Sequence, residues 1–344
     1  MAALACAASC SQKSGPNSQS RGEDLVSPNN AITQAADESR TGWFPDQPSL
    51  DPATVGGPNF KRLFKTALPL TPGEQVLAQP LVYGGKVLVA TEANNLYLLD
   101  ATTGAITNQR ALGGAFDANS IGCGDISPTV GVTGAPVIDN ATGTAYLYSK
   151  SDTGVWSLHA VSASDLSERA GFPVQIGGTA QNDASATFDS VHEHQRPGLL
   201  LMGGVIYAGF GAHCDTGNYR GWLFGVSTSG VVKARFATVA NAGSVIKGNG
   251  IWMSGAGLSS DAAGRIFFAT GNGYAQNPYP SPLPGNTPPG DLEEAVVRVD
   301  VQADASLKAN DFFAPFNAQA LNGGDSDLGA GGIVLLPSQF GTSA

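Results

Sequence analysis

The chain has 344 residues, 42% of them hydrophobic and only 13% charged, with a net charge of −10, 45 glycines and 21 prolines. That much apolar material buries a large core, and the glycine and proline content suits a turn-rich β protein better than a helical one. No run of about 18 apolar residues offers a membrane span, and no Lys/Arg cluster offers a nucleic-acid backbone its phosphate contacts.

Residues 1–40 open with "MAALACAASC", small and apolar, and pass into a Ser/Gln/Asn-rich stretch. The pattern is that of the end of a secretory leader, with Cys6 or Cys10 as the candidate lipid-anchor cysteine. It predicts an exported chain, periplasmic or on an extracellular face; an Ala-rich tail with no address is the alternative. Residues 11–40 are polar and poor in large apolar groups, which predicts a flexible tether ahead of a folded part over 41–344.

From residue 76 a unit recurs. "AQPLVYGGKVLVAT" (78–91), "GAPVIDNATGTAYLYS" (134–149), "QRPGLLLMGGVIYAGF" (195–210) and "GAGLSSDAAGRIFFAT" (255–270) each give a Gly/Pro bend, a short apolar strand, a turn ending in glycine and a second strand. The turn glycines are Gly85, Gly143, Gly204 and Gly264, placed where tight hairpins demand positive φ. A third strand follows each time, and Asp100, Ser162, Ser227 and Asp300 align within it, each preceded by an apolar residue. The opening bends at Pro80, Pro136, Pro197 and Gly257 recur about every 60 residues, a period that reads as a β-propeller. Blades are expected over about 76–112, 129–170, 195–238 and 250–312, with "DLGAGGIVLLP" starting a fifth over 327–344. An incomplete ring is therefore expected, the N-terminal portion of a longer propeller. A β-sandwich is the competing architecture, but it gives no reason for the same order four times.

"LYLLDATTG" (96–104) resembles the third strand of the pyrroloquinoline-quinone repeat, which ends in Leu-Asp-Ala-x-Thr-Gly followed by a tryptophan. Leu99, Asp100, Ala101, Thr103 and Gly104 match, whereas Asn108 stands at the tryptophan position. "RTGWFPDQPSL", "GCGDISPTVGVTGAPVID", "HCDTGNYRGW", "GIWMSGAG" and "DLGAGGIVLLP" are similar to one subgroup, the exported quinoprotein-dehydrogenase-like propellers. The resemblance runs from about residue 40 to the end and implies an all-β propeller of the quinoprotein dehydrogenase-like type. Members that bind the quinone (PQQ) imply a disulfide between adjacent cysteines over it, a tryptophan beneath it, Ca²⁺ held by Glu, Asn and Asp, and an aspartate base. Adjacent cysteines are absent here, and Trp252 is the candidate floor, or simply a large aromatic closing an inner bend.

The residues themselves leave several alternatives open. The recurring bends point to Gln79, Thr133, Gln195, Arg196, Trp252 and Ser254 as candidate channel or ligand-binding residues. Arg196 is the candidate anion fork beside Pro197, with hydrogen bonding to nearby carbonyls as its structural role otherwise. "VHEHQRPG" and "GAHCDTG" offer His192, His194, His213 and Asp215 as a Zn²⁺ or Cu²⁺ set, or as ordinary hydrogen-bonding loop residues. Cys123 and Cys214 read as an interblade disulfide or as two free thiols. "NGGDSDLG" (322–329) offers Asp325 and Asp327 to Ca²⁺ but lacks the ligand count of a calcium loop, and the Pro-rich 276–290 reads as an exposed loop. No nucleophile elbow, phosphate loop or H-E-x-x-H appears. Two functions follow: a non-catalytic binding or scaffold propeller holding a protein or small-molecule ligand, and a PQQ- and Ca²⁺-dependent dehydrogenase oxidising an alcohol, sugar or polyol.

Overall fold

The computed structural model describes residues 30–44, 50–242, 246–275, 279 and 287–336. Cys6, Cys10, most of the Pro-rich loop and residues 337–344 of the expected fifth unit lie outside them.

Four antiparallel sheets follow one another along the chain, each built from consecutive strands. The first holds β1 (Leu81–Tyr83), β2 (Lys86–Ala90), β3 (Asn95–Asp100) and β4 (Ile106–Ala111). The second holds β5 (Val137–Asp139), β6 (Thr144–Lys150), β7 (Trp156–Ser162) and β8 (Val174–Gln175). In the third, β10 (Leu200–Met202), β11 (Val205–Ala212), β12 (Trp222–Ser227) and β13 (Val232–Ala237) are joined at β11 by a short extra strand, β9 (Glu193–His194). The fourth holds β14 (Ser259–Ser260), β15 (Arg265–Ala269), β16 (Val296–Val301) and β17 (Leu307–Phe313). These are the blades of an incomplete propeller. The second blade's outer strand, β8, lies beyond the 170 at which the sequence closes that unit. Residues 327–336 contain a short 3-10 turn, Leu328–Ala330, and no strand among the described residues.

The repeat register is explicit in the strand pairing. Asp100, Ser162, Ser227 and Asp300 lie opposite Lys86, Thr144, Val205 and Arg265, the first residue of each second strand. Gly85, Gly143, Gly204 and Gly264, one residue earlier, all have positive φ, so the hairpin chemistry read from sequence is the chemistry present. The third and fourth strands slip register at equivalent places, Leu98/Leu99, Gly225/Val226 and Arg298/Val299.

Alternation along the strands builds the interblade cores. On β6, Tyr146 and Tyr148 face the third blade, while Ala145 and Leu147 face the first. On β12, Trp222, Phe224 and Val226 pack toward the second blade and Leu223 toward the fourth. All seven residues of β6 and all six of β12 are buried, because central blades are covered on both faces. The outer strand β4, by contrast, alternates between half-buried and exposed.

The tether expected over residues 11–40 is corrected at its C-terminal end. Ala31 and Val82 exchange both backbone hydrogen bonds at 2.8 Å, and the Ile138 N–H donates to the Ile32 carbonyl at 2.8 Å. Arg40 is buried and donates to the carbonyls of Leu258 (2.8 Å), Gln34 (2.8 Å) and Leu199 (2.9 Å) and to the Thr33 hydroxyl (2.6 Å). Burial lowers its pKa to about 10, so the guanidinium is still charged at neutral pH. Residues 31–40 therefore run as a strap across the inner ends of all four blades.

Cys123 and Cys214 are joined, with Cα atoms 5.6 Å apart at a sequence separation of 91. The bridge ties the lead-in of the second blade to the loop after β11. Closing so long a loop should be worth about 2–5 kcal/mol. Replacing both cysteines by serine is expected to lower the urea unfolding free energy by that amount. Alkylation of the native protein without reductant should label neither cysteine; full labelling would disprove the bridge.

Candidate functional site

The ends of the second strands and the lead-ins to the first strands meet on one side of the blades. The Val132 N–H donates to the Thr91 carbonyl (3.1 Å), the Ile251 N–H to Phe210 (3.0 Å) and the Gly271 N–H to Gly250 (3.0 Å). The first two bonds join neighbouring blades and the third closes the fourth blade's lead-in onto its second strand, so polar side chains of successive blades come side by side at the inner end of the propeller.

Glu92, just past β2, is buried, and its Oε2 accepts from the Gly131 N–H (2.8 Å) and the Thr133 hydroxyl (3.0 Å). Its Oε1 has no partner, and burial pushes the carboxyl up to about 7. Thr133 Oγ1 also lies 3.1 Å from His194 Nε2. Since the threonine gives its single hydrogen to Glu92, His194 donates from Nε2 and keeps a bare Nδ1. His194 stacks on His213, ring centroids 4.4 Å apart. Lys150, at the end of β6, donates to the carbonyls of Val191 (2.7 Å) and Glu193 (3.0 Å) and to His213 Nε2 (2.8 Å). Three acceptors match an ammonium's three hydrogens, so His213 carries its own hydrogen on Nδ1. The ammonium also lies over the Phe116 and Trp156 rings. Burial lowers Lys150 to about 7, opposed by the carboxylates of Glu193 and Asp189. Burial, reinforced by Lys150, takes His213 down to about 2, and burial holds His194 well below its usual range.

β9 sets Glu193 and His194 on opposite faces. Glu193 Oε1 accepts from the Arg220 N–H (3.0 Å) and Trp222 Nε1 (3.1 Å), and burial raises its pKa well above the carboxylate range.

Above this buried row lies a more open cluster. The Arg196 guanidinium sits 5.8 Å over the Trp252 ring and 3.9 Å from Asp125 Oδ2, with 27% of its side chain exposed. Cβ atoms added at Gly211, Gly250 and Gly271 would all come within 2.7 Å of the Trp252 indole, so only glycine at these three positions lets the ring lie flat on backbone. Asn272 donates through Nδ2 to Asp215 (3.3 Å) and Asp325 (3.2 Å), and its backbone N–H donates to Asp327 (2.9 Å). Among the described residues, Asp215 Oδ1 and Asn272 Oδ1 are buried without partners.

The structure thus brings Thr133 to Glu92 and His194, and Arg196 to Trp252. It does not bring in the other bend residues. Gln79 accepts from the strap at the Ala35 N–H (3.4 Å). Gln195 is fully buried and donates to the Pro197 carbonyl, and Ser254 is exposed. Among the described residues His192, His194, His213 and Asp215 are not gathered into one group of potential ligands. His192 Nδ1 pairs with Asp189 at 2.7 Å, and the Nε2 atoms of His194 and His213 are engaged as above. Among the described residues, the one group of three potential ligands within 4.8 Å of each other is Cys123, Asp125 and His213. Asp325 and Asp327 anchor Asn272 instead of a calcium loop. Glu92, Lys150, Glu193 and Asp125 were not singled out by the sequence. The available signal was a lone charge closing an apolar strand, "LVATE" and "TAYLYSK".

No protein-family profile matches this chain, and no curated protein does. Among solved structures, a europium-containing methanol dehydrogenase matches with a TM-score of 0.53 and 14% identity over 84% of this chain and 49% of that one. The quinohemoprotein alcohol dehydrogenase ADHIIG from Pseudomonas putida HK5 matches with a TM-score of 0.51 and 14% identity, over 83% of this chain and 40% of that one. The chain thus spans less than half the length of either, and the likeness is one of fold. The quinone arrangement implied by the resemblance does not fit these residues. Cys123 is bonded across 91 residues and not to a neighbour. Trp252 is 8% exposed, one side on glycine backbone and Arg196 over the ring.

Glu92 provides a pH test. Its folded pKa of about 7 lies above the ordinary 4.5, so its contribution is intact below 4.5 and is lost as pH rises through 7. Glu92→Gln is therefore expected to gain stability relative to the native protein by about 2–3 kcal/mol between pH 5 and pH 8. A difference that stays flat with pH, measured by urea unfolding at each end, would refute the buried-acid assignment.

Proposed function

We propose that this chain, which has the fold of the quinoprotein dehydrogenase-like propellers, is a non-catalytic binding module holding an uncharged, hydroxyl-rich ligand at the mouth around Arg196. The observation that carries this reading is the state of that arginine. Among the described residues its guanidinium donates no hydrogen bond; it has only Asp125 at 3.9 Å and the Trp252 ring at 5.8 Å. Five N–H groups in a fixed fork, half-buried and unanswered by protein, are donors held for something else.

The surroundings select against an anion. Asp125, Asp215, Asp325 and Asp327 crowd the same end; burial raises Asp327, helped by the charges of Asp325 and Asp215 and opposed by the Asn272 N–H and, less, by Arg196. An incoming carboxylate would meet these charges, whereas a sugar or polyol would use them as acceptors for its hydroxyls and Arg196 as a donor to its oxygens. The disulfide supports an oxidising compartment, so the binding module is proposed to work outside the cytoplasm, as the leader-like N-terminus suggests.

Calorimetry on the full chain with a panel of sugars and polyols, set against mono- and dicarboxylates, tests the reading. At least one neutral ligand is expected to bind, and Arg196→Ala to weaken it about 10- to 100-fold at an unchanged melting temperature. Binding confined to the anions, or indifferent to Arg196→Ala, would overturn it. Dye-linked oxidation of the bound polyol after adding quinone and Ca²⁺ would overturn the non-catalytic part.

A further inference from the structure

The Cys123–Cys214 bridge is bordered by two further metal-ligating side chains. Cys123 Sγ, an Asp125 carboxylate oxygen and a His213 ring nitrogen all lie within 4.8 Å of one another, and Cys214 supplies the sulfur bonded to Cys123. Asp125 Oδ1 stands 2.9 Å from Cys123 Sγ, a sulfur that carries no hydrogen while the bridge is intact. The same oxygen is fixed by the Ile126 N–H at 2.8 Å. His213 Nε2 is taken by Lys150 at 2.8 Å, and Nδ1 is buried without a partner. The ring is clamped between His194 and Phe116, so it is oriented before any ligand arrives.

We propose that the bridge masks a zinc site, and that its reduction opens a four-ligand centre made of Cys123 Sγ, Cys214 Sγ, His213 Nδ1 and Asp125. Two thiolates, one imidazole and one carboxylate form a closed tetrahedral donor set of the kind Zn²⁺ takes. At a Zn–S length of about 2.3 Å, two thiolates of a tetrahedral site stand about 3.8 Å apart. The chemistry balances with a dithiol as reductant. The protein disulfide gains two electrons and two protons, and the dithiol becomes a disulfide. Zn²⁺ then displaces both thiol protons and the Nδ1 proton, His213 taking a hydrogen on Nε2 from Lys150, so three protons are released in all. In the oxidised protein neither sulfur is a thiolate, and the site is closed. The chain thereby holds one staple in either state, covalent when oxidised and coordinate when reduced, between the second-blade lead-in and the β11–β12 loop.

Co²⁺ on the full chain reads the site directly. After reduction with a phosphine, one Co²⁺ per chain is expected, with sulfur-to-cobalt charge-transfer absorption and intense tetrahedral d–d bands that Zn²⁺ abolishes; untreated protein should show neither. His213→Ala and Asp125→Asn should each weaken the affinity at least tenfold, a loss typical of removing a ligand or its support, and replacing both Cys123 and Cys214 by serine should remove the charge-transfer band. Zn²⁺ should also raise the melting temperature of the reduced chain. Equal binding by untreated protein, absence of charge transfer after reduction, indifference to His213→Ala, or no rise in melting temperature would each overturn the proposal.

Discussion

The structure depends on one constraint: a four-stranded leaflet is apolar on both faces and cannot cover either one by itself. β6 and β12 show the constraint most plainly, since each is buried along its whole length and sends alternate side chains into two different cores. Tyr148, Trp156, Phe188, Phe210, Trp222 and Phe224 interlock between the second and third blades, edge-to-face except for Trp222, which meets Phe188 edge-on and stacks on Phe224. Their polar tips are then forced toward the inner end, where Trp156 Nε1 finds the Glu193 carbonyl at 2.8 Å and Trp222 Nε1 the Glu193 carboxylate at 3.1 Å. The buried acid is thus a consequence of the aromatic packing, satisfying indoles that the cores could not satisfy themselves.

The same logic accounts for the strap. The first strands are short, three residues or fewer, and leave carbonyls near the centre without a neighbouring strand. Arg40 reaches two of them, at Leu199 and Leu258, from the third and fourth blades. A planar fork with several donors can serve carbonyls of different blades at once, which an ammonium on a flexible stem does less well. Removing the charge from water is costly, but each N–H it turns inward answers a buried acceptor.

What was legible in the sequence follows from which signals repeat. The blades were legible because the turn glycine, the apolar strand and the Asp100-type register occur four times, and repetition separates a unit from chance. The ordered strap was not legible: "AITQAADESR" is polar and unrepeated, and its order comes from one arginine meeting carbonyls contributed about 160 and 220 residues later. The site was legible in part. Arg196 and Trp252 stand at bends that the repeat marks, and their meeting follows from the repeat. The histidines were legible as a pair, but nothing local in "GAHCDTG" reveals that Lys150, in another blade, occupies His213 Nε2. Glu92 and Lys150 each close a strand whose neighbours are apolar, a position where sequence alone does not distinguish a solvated end from a buried one.

The two layers of the inner end differ in what they have left to offer. In the lower row, Lys150 spends all three hydrogens on protein acceptors, and Thr133 bridges Glu92 to His194. Such a network resists change, because removing any member strands the others in a low dielectric. It therefore acts as a rigid floor. Above it, among the described residues, Arg196 donates no hydrogen bond and has Asp125 at 3.9 Å, and Asp215 and Asn272 each keep one buried oxygen without a partner. The Cys123–Cys214 bridge ties the loop that carries Asp215 to the lead-in that carries Asp125. A hydrogen-bonded floor beneath a cross-linked rim is an arrangement suited to holding a ligand in one orientation, since the donors that meet it are fixed before it arrives.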